Sequence, residues 1–266
     1  MQKIIDFIKE GTGTTSTGIA VAMLIVAVLI AIFALVGVGI SIFLFFKYHK
    51  LNKTKNSCGL TGLEAARKIL DDNGLQKIKV KATGSIIWGN SYSHVFKKVR
   101  LRRLTYKKNS ITSLAMAAQK SSLAIMDKEH DPIMKTRNVL IPLQIFGPMM
   151  FIPLVVIGII LDLVLMTSTN FVFTFIGAGS GLLFYVVTFI LTGVILKAET
   201  KAQAKSIEIL RQENMATEEE IEKIKELYKL YNLEYINNMI LAFLELLLRV
   251  LQIIAAAQGN AARSSD

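Results

Sequence analysis

The chain has 266 residues, of which 52% are hydrophobic and 19% are charged, and its mean hydropathy is +0.47. So apolar a composition excludes an ordinary soluble domain and indicates a membrane protein. The formal net charge of +11 does not indicate nucleic-acid binding, because no aromatic-interleaved basic stripe or nucleic-acid-binding motif accompanies it. Basic residues beside membrane spans instead set topology and attract anionic lipid head groups, so the lipid bilayer is the expected partner of this charge.

The first predicted membrane helix follows a short head, residues 1–18, that is rich in glycine and hydroxyl side chains towards its end. Residues 19–46 contain no charged side chain, and about 20 apolar residues are enough to cross a bilayer. This run is much longer than the apolar core of a signal peptide, which has about 7–15 residues. We therefore expect a retained membrane anchor rather than a cleaved signal.

A basic polar segment, residues 47–138, follows and predicts a small α+β module. Its first helix should begin after Thr61, because Glu64 stands at the capping-box spacing, and should end near Gly74, since glycine suits a helix C-terminus. The single cysteine, Cys58, cannot form an intramolecular disulfide, which fits a reducing compartment.

Two alternating stretches predict strands in the same module. Apolar residues occupy every second position from 78 to 82, and a later stretch sets Val99 and Leu101 against basic residues. A period of two is typical of a half-buried strand. We expect a small antiparallel sheet that lies beside the next helix, residues 110–130.

Three further apolar segments predict membrane helices at residues 139–166, 171–196 and 235–257. Residues 197–231 are highly charged and predict a helical hairpin, and residues 258–266 form a tail. Together with the first span, these segments predict a mainly α-helical membrane protein with four transmembrane helices and a small α+β module.

Three charged residues fall inside predicted spans, namely Asp162, Glu245 and Arg249. Glu245 and Arg249 are four positions apart, in the order that favours an ion pair on a helix, so we expect them to neutralise one another. Charges inside a membrane are costly and often functional, and the three residues are therefore also candidates for an ion or proton pathway.

The distribution of basic residues predicts the orientation in the cell membrane. Residues 47–137 hold 20 Lys and Arg against six Asp and Glu, and residues 197–231 hold seven more basic residues, whereas the link at 167–170 holds none. Basic loops stay in the cytoplasm. We therefore expect the module and the hairpin to be cytoplasmic and both termini to lie on the opposite side.

Two motifs in the module resemble a known family. Residues 56–64 read Asn-Ser-Cys-Gly-Leu-Thr-Gly-Leu-Glu, and the predicted helix 110–130 contains Ala117-Ala118 and Ala124-Ile125. In this order the motifs resemble the membrane-embedded neutral zinc metallopeptidases, the YugP-like family. Its members carry Asn-Ser-x-Gly-Leu-Thr-Gly-x-Glu and then Ala-Ala-His-Glu-x-x-His-Ala-Ile. The resemblance implies a zincin-like module on the cytoplasmic side.

The chain departs from the family at the metal site. Gln119, Lys120 and Leu123 stand where the family has its first histidine, its glutamate base and its second histidine. A zinc hydrolase needs three protein ligands and an open position for water. The resemblance places the third ligand at Glu199, which keeps its carboxylate. We expect no bound metal, and either an ion pair between Glu199 and Lys120 or two solvated side chains.

The predicted function is that of a catalytically inactive, zinc-metallopeptidase-like membrane protein that acts as a scaffold or regulator of an unidentified protein partner. In the family, the region of the second strand borders the substrate cleft. An extended peptide could add to the edge of that strand, which makes His94, Val99 and Leu101 candidate binding residues.

Two alternatives stay open. An active zinc metallopeptidase with non-standard ligands could bind zinc through Glu199 together with Asp127 or His130. A small transporter or channel component could instead use the three charges inside the predicted spans.

Overall fold

The computed structural model describes residues 2–84, 89–146, 148–165 and 171–263. Within these ranges the chain is mainly helical and contains one three-stranded sheet. The helices are α1 (Gln2–Thr12), α2 (Thr17–Leu51), α3 (Gly62–Asp72), α4 (Arg103–Lys107), α5 (Ile111–Lys128), α6 (Pro132–Phe146), α7 (Phe151–Val164), α8 (Val172–Gln212) and α9 (Glu218–Arg263). The strands are β1 (Lys79–Thr83), β2 (Ser91–Ser93) and β3 (Lys98–Arg102).

Among the described residues, three helical segments are long and apolar enough to cross a membrane, namely Thr17–Lys53, Val172–Gln212 and Glu218–Gly259. They contain the predicted first, third and fourth spans, and they support a membrane protein. The charged hairpin predicted at 197–231 is formed by the end of α8 and the beginning of α9, which continue the apolar helices without a break.

The predicted second span, residues 139–166, is divided into separate elements. Helix α6 ends at Phe146, a 3₁₀ turn covers Pro148–Met150, and α7 has 14 residues, fewer than the about 20 that cross a bilayer in one helix. Proline lacks the backbone donor that an uninterrupted helix requires, which explains the division near Pro148. The end of this predicted span at residue 166 and the link at 167–170 lie outside the described residues.

The chain forms two compact units. The apolar unit comprises residues 1–38, 140–193 and 237–266, and the polar unit comprises residues 39–139 and 194–236. The predicted module and the charged hairpin, which are far apart in the sequence, therefore belong to one folded unit.

The sheet of the polar unit differs from the prediction. Its strand order is β1-β3-β2, in which β1 runs parallel to β3 and β2 runs antiparallel to it. The two alternating stretches lie in β1 and β3, so the antiparallel pairing predicted for them is wrong. The antiparallel neighbour of β3 is β2, which joins it through a turn in which Lys97 has a φ of 44°. A strand of three residues is too short to produce a recognisable alternation in the sequence.

Helix α5 lies at the centre of the polar unit, and its residues from Ile111 to Met126 are all buried. Apolar side chains from α3, β3, α8 and α9 belong to the same core, including Ile69, Leu70, Leu101, Leu210 and Leu227. Ser110 caps the N-terminus of α5 by accepting a hydrogen bond from the backbone N–H of Ser113 at 3.1 Å. A central helix of this kind places its few polar side chains, Gln119 and Lys120 among them, in an environment without water.

Candidate functional site

The motif at residues 56–64 joins several elements of the polar unit. Asn56 Nδ2 donates to the backbone oxygens of Leu60 at 2.8 Å and Ser110 at 3.3 Å. The backbone N–H and the hydroxyl of Ser57 donate to the carboxylate of Glu220, in the first turn of α9, at 2.7 and 2.5 Å. The motif therefore holds the beginnings of α5 and α9 beside the segment that precedes α3.

The remaining residues of the motif meet local backbone requirements. Thr61 and Glu64 form the predicted capping box of α3. Gly59 has a φ of +70°, a conformation that favours glycine, and a Cβ atom on Gly62 would lie 2.2 Å from the backbone oxygen of Thr105. Each of these residues thus has a structural reason for its identity.

The position that the resemblance assigned to the third zinc ligand, Glu199 on α8, faces Gln119 and Lys120 on α5. Gln119 Nε2 donates to Glu199 Oε2 at 2.9 Å, and Lys120 Nζ donates to the same oxygen at 2.7 Å. Lys120 is 5% exposed and Glu199 is 3% exposed. The predicted ion pair is therefore present, and the alternative of two solvated side chains is wrong.

A second cation joins this cluster from α6. Arg137 is 6% exposed, and its NH2 atom lies 4.0 Å from Glu199 Oε1. In the sequence, Arg137 stands directly before an apolar segment, and this position indicates only a basic residue that sets topology. We call Lys120, Arg137 and Glu199 the buried ion cluster.

The residues at this position do not suit a zinc ion. The amide N–H of Gln119 and the ammonium of Lys120 occupy Glu199 Oε2, where a metal would need a free lone pair. Leu123 has no donor atom and belongs to the core. Lys120 and Arg137 would both repel a divalent cation. Over the ranges that the structure describes, no group of three or more His, Cys, Asp or Glu side chains could hold a metal ion.

A cleft of about 930 Å³ lies on the polar unit, between residues 74–78, the β2–β3 hairpin, the end of α5 and α6. Asp127 lies in its wall and is held by three side chains. Tyr92 Oη donates to Asp127 Oδ2 at 2.6 Å, His94 Nδ1 lies 2.6 Å from the same oxygen, and Asn138 Nδ2 donates to Oδ1 at 2.8 Å. The candidate residue His94 therefore does lie in a cleft.

The electrostatics of the cleft favour an ionised Asp127. Burial raises the pKa of the Asp127 carboxyl, but the hydrogen bonds from Tyr92 and His94 and the charges of His94 and Lys97 more than offset this effect, so that the pKa lies below its ordinary value. Burial, together with the hydrogen bond to Asp127, raises the pKa of the Tyr92 hydroxyl. Tyr92 therefore acts as a fixed donor.

The described side-chain hydrogen bonds of His94 join it to Asp127 and Lys97. Within the part of the chain that the structure describes, no serine, threonine or cysteine forms a hydrogen bond with His94. The alternative zinc ligands Asp127 and His130 both line the cleft. Glu199, in contrast, accepts hydrogen bonds from Gln119 and Lys120 of α5. The described hydrogen bonds of Asp127 and Glu199 give no sign of a shared metal site.

The other two candidate peptide-binding residues belong to the core. Val99 and Leu101 lie in β3, which is paired along both edges by β1 and β2, and their side chains are fully buried. Since β1 and β2 together cover both edges over Lys98–Arg100, the expectation that a peptide adds to this strand does not hold for that part of it. Of the three described strands, β1 and β2 lie at the edges.

In the apolar unit, two of the three charged residues predicted to lie inside spans, Asp162 and Arg249, have structural contacts. The carboxylate of Asp162 accepts hydrogen bonds from the backbone N–H groups of Phe173 at 3.0 Å and Thr174 at 2.8 Å, and from the Thr174 hydroxyl at 2.7 Å. These groups belong to the first turn of α8, where a carboxylate is favourable. Asp162 therefore caps a helix.

The predicted pairing of Glu245 with Arg249 is wrong. Arg249 NH1 instead donates to Gln252 Oε1 at 2.8 Å, and its Nε donates to the hydroxyl of Tyr185 at 3.4 Å. The guanidinium also lies over the ring of Phe151, 5.0 Å from its centroid. Aromatic and amide side chains from neighbouring turns and helices thus replace the expected carboxylate.

Comparison with known proteins agrees with the two motifs. The model of a family described as "Putative neutral zinc metallopeptidase" matches residues 21–255. The chain belongs to this family. It is also 24% identical over 204 residues to "Putative membrane protease YugP" of Bacillus subtilis (strain 168), an alignment that covers 75% of this chain and 84% of that protein. No solved structure matches the chain.

Proposed function

We propose that this chain is a catalytically inactive member of its family that acts in the membrane as a scaffold or regulator of a protein partner. The observation that carries the proposal is the state of Glu199, whose Oε2 accepts hydrogen bonds from Gln119 and Lys120. In a catalytic zinc site, a carboxylate at this position would bind the metal, and the metal would activate water. Here the ammonium of Lys120 supplies a fixed positive charge in place of the metal.

The cleft beside Asp127 is the proposed binding surface for the partner. Its volume of about 930 Å³ is at the upper end of the range for ligand pockets, about 300–1,000 Å³. Its lining includes the polar residues Tyr92, His94 and Asn138 and the apolar residues Leu75 and Ile78. A polypeptide segment with both polar and apolar groups suits such a mixed surface.

The proposed placement in the membrane follows from the charges and the apolar helices. We propose four membrane segments, of which α6 and α7 together form the second. The polar unit would lie in the cytoplasm and both termini on the opposite side, because the polar unit carries most of the basic residues. Measuring the accessibility of single cysteines introduced at Lys53 and Lys9 to a membrane-impermeant thiol reagent, in a Cys58→Ser background, would test this sidedness. Labelling of the two positions from the same side would contradict it.

The test of inactivity is the zinc content of the detergent-purified chain, measured by elemental mass spectrometry together with a Glu199→Ala control. We expect near zero zinc per chain in both proteins. A matched positive control is the triple variant Gln119→His, Lys120→Glu and Leu123→His, which restores the family's metal-binding residues and should gain about one zinc per chain. Near one zinc per wild-type chain, lost in the Glu199→Ala protein, would overturn the proposal.

The two alternatives receive less support from the contacts. A peptidase with non-standard ligands would need to release Asp127 from Tyr92, His94 and Asn138, and the zinc measurement tests it directly. A transporter or channel component would need mobile or hydrated charges, whereas Asp162 accepts three hydrogen bonds from the first turn of α8.

A further inference from the structure

The buried ion cluster holds more positive than negative charge. Lys120 and Arg137 each carry one positive charge, Glu199 carries one negative charge, and all three are almost fully buried. Both salt bridges of the cluster, at 2.7 Å and 4.0 Å, lead to the same carboxylate. A charge that is buried without a counter-ion costs several kcal/mol, so the net positive charge favours an additional anion.

Arg137 has hydrogen-bond donors without acceptors. A guanidinium has five N–H groups, but the Nε and NH1 atoms of Arg137 have no hydrogen-bond partner among the described residues. The NH2 atom is 4.0 Å from Glu199 Oε1, which is beyond hydrogen-bond distance. Buried donors of this kind are rare in folded proteins and indicate a missing acceptor.

The cluster lies beside the cleft. Ala124 and Asn138, which follow Leu123 and Arg137 in the sequence, both line the cleft. Burial and the hydrogen bond to Asp127 raise the pKa of Tyr92, whose ring also lines the cleft, whereas the charge of Arg137 acts to lower it. The guanidinium therefore lies within electrostatic range of the cleft wall, although Arg137 itself is buried and does not line the cleft.

We propose that the buried ion cluster binds a carboxylate that enters from the cleft, so that the position of a zinc cation in this family serves as an anion site in this chain. A single carboxylate balances the extra positive charge and supplies two acceptor oxygens for the planar guanidinium. The apolar side chains of Leu75, Ile78 and Val139 in the cleft suit a carboxylate that carries an apolar group. This inference rests on the proposed absence of zinc, which the zinc measurement tests separately.

The occupant can be a free small carboxylate or the C-terminal end of a polypeptide, and calorimetric titration of the full-length chain in detergent distinguishes them. The free probes are butyrate and its neutral analogue butyramide. The peptide probes are N-acetyl-Ala-Ala-Leu with a free C-terminus and the same peptide with a C-terminal amide. We expect each acid to bind at least about tenfold more tightly than its amide, because hydrogen bonds to charged groups are worth this factor or more. Tighter binding of the peptide acid than of butyrate would identify a chain end.

The variants assign the binding to Arg137. Arg137→Gln should weaken the binding of the acids at least about tenfold and leave the amides unaffected. Lys135→Gln, an exposed change on the same helix that also lines the cleft, is the matched control and should weaken the acids less than about threefold, as a solvent-screened charge does. Equal affinity of acid and amide for the wild-type chain would overturn the proposal whether or not the variants fold. Unchanged binding of the acids to folded Arg137→Gln protein would overturn it as well.

Discussion

Whether a Lys120 substitution lowers or raises the free energy of unfolding should depend on whether Glu199 is present. At the 2.7 Å separation of Lys120 Nζ and Glu199 Oε2, the attraction is about 6 kcal/mol at an effective dielectric constant of about 20. Much of it offsets the cost of removing both ions from water. In Lys120→Met protein, Glu199 still has Arg137 at 4.0 Å and the amide of Gln119. We therefore expect a loss of only about 2 kcal/mol of unfolding free energy, less than the usual 3–5 for breaking a buried pair.

Glu199→Gln should be more harmful, because it leaves two buried cations without a carboxylate. We expect a loss of about 4 kcal/mol. In the Glu199→Gln background, Lys120→Met removes one of those unpaired cations and should restore about 1–2 kcal/mol. The same substitution would thus destabilise the wild type and stabilise the variant, which corresponds to a coupling energy of about 3–4 kcal/mol, at or just above the upper end for residues in contact.

The assay is equilibrium unfolding in mixed micelles, followed by circular dichroism for the wild type, both single variants and the double variant. The exposed pair of Lys205 and Glu129 in the same unit is the control cycle, and its coupling energy should stay below about 1 kcal/mol. Additive effects of Lys120→Met and Glu199→Gln within about 0.5 kcal/mol would refute the reasoning. So would a larger loss for Lys120→Met than for Glu199→Gln.

Two further predictions concern the motif at residues 56–64 and the cleft. Gly62→Ala places a Cβ atom 2.2 Å from the backbone oxygen of Thr105 and should lower the unfolding free energy by at least about 2 kcal/mol. The control Gly39→Ala, whose Cβ atom meets nothing within 4 Å, should be neutral or stabilising by up to about 1 kcal/mol. Equal melting temperatures of the two variants would contradict this prediction. The pKa of Asp127 is lowered in the folded state, so its contribution is present above the ordinary carboxyl pKa and is lost as the pH falls through the folded-state pKa. Between about pH 5 and about pH 3, the unfolding free energy of the wild type should fall more than that of Asp127→Asn protein. Parallel pH profiles of the unfolding free energy for the two proteins would show that the ionised Asp127 does not stabilise the fold.

The sequence predicted the elements that depend on neighbouring residues. The long uncharged run at 19–46 predicted a membrane helix, and Thr61 with Glu64 predicted a capping box; the structure has a helix and a cap at these places. Hydrophobic runs and caps act over a few residues, so their physical cause lies within the local sequence. The family resemblance was also read from a short run, residues 56–64, although in the folded chain Asn56, Ser57 and Gly62 meet groups that are distant in the sequence.

The tertiary structure decided every feature that depends on partners far apart in the sequence. Alternation predicted two strands but not that a three-residue strand lies antiparallel beside β3 and covers its second edge over Lys98–Arg100. The helical spacing of Glu245 and Arg249 predicted an ion pair, but Tyr185 and Gln252 take the guanidinium instead. Spacing on one helix shows which side chains can meet, whereas packing against other helices determines which of them do.

The site combines both kinds of information. The sequence alone determined that the chain contains only three histidines, at positions 49, 94 and 130, so that no two stand four residues apart, the spacing that the family resemblance implies for a zinc-binding helix. Only the tertiary structure placed Arg137 beside Glu199, because that contact joins α6 to α8 across the core of the polar unit. Burial makes this contact matter for stability. Water would screen the charges of Arg137 and Glu199, but in a folded core each charge needs a partner in the protein.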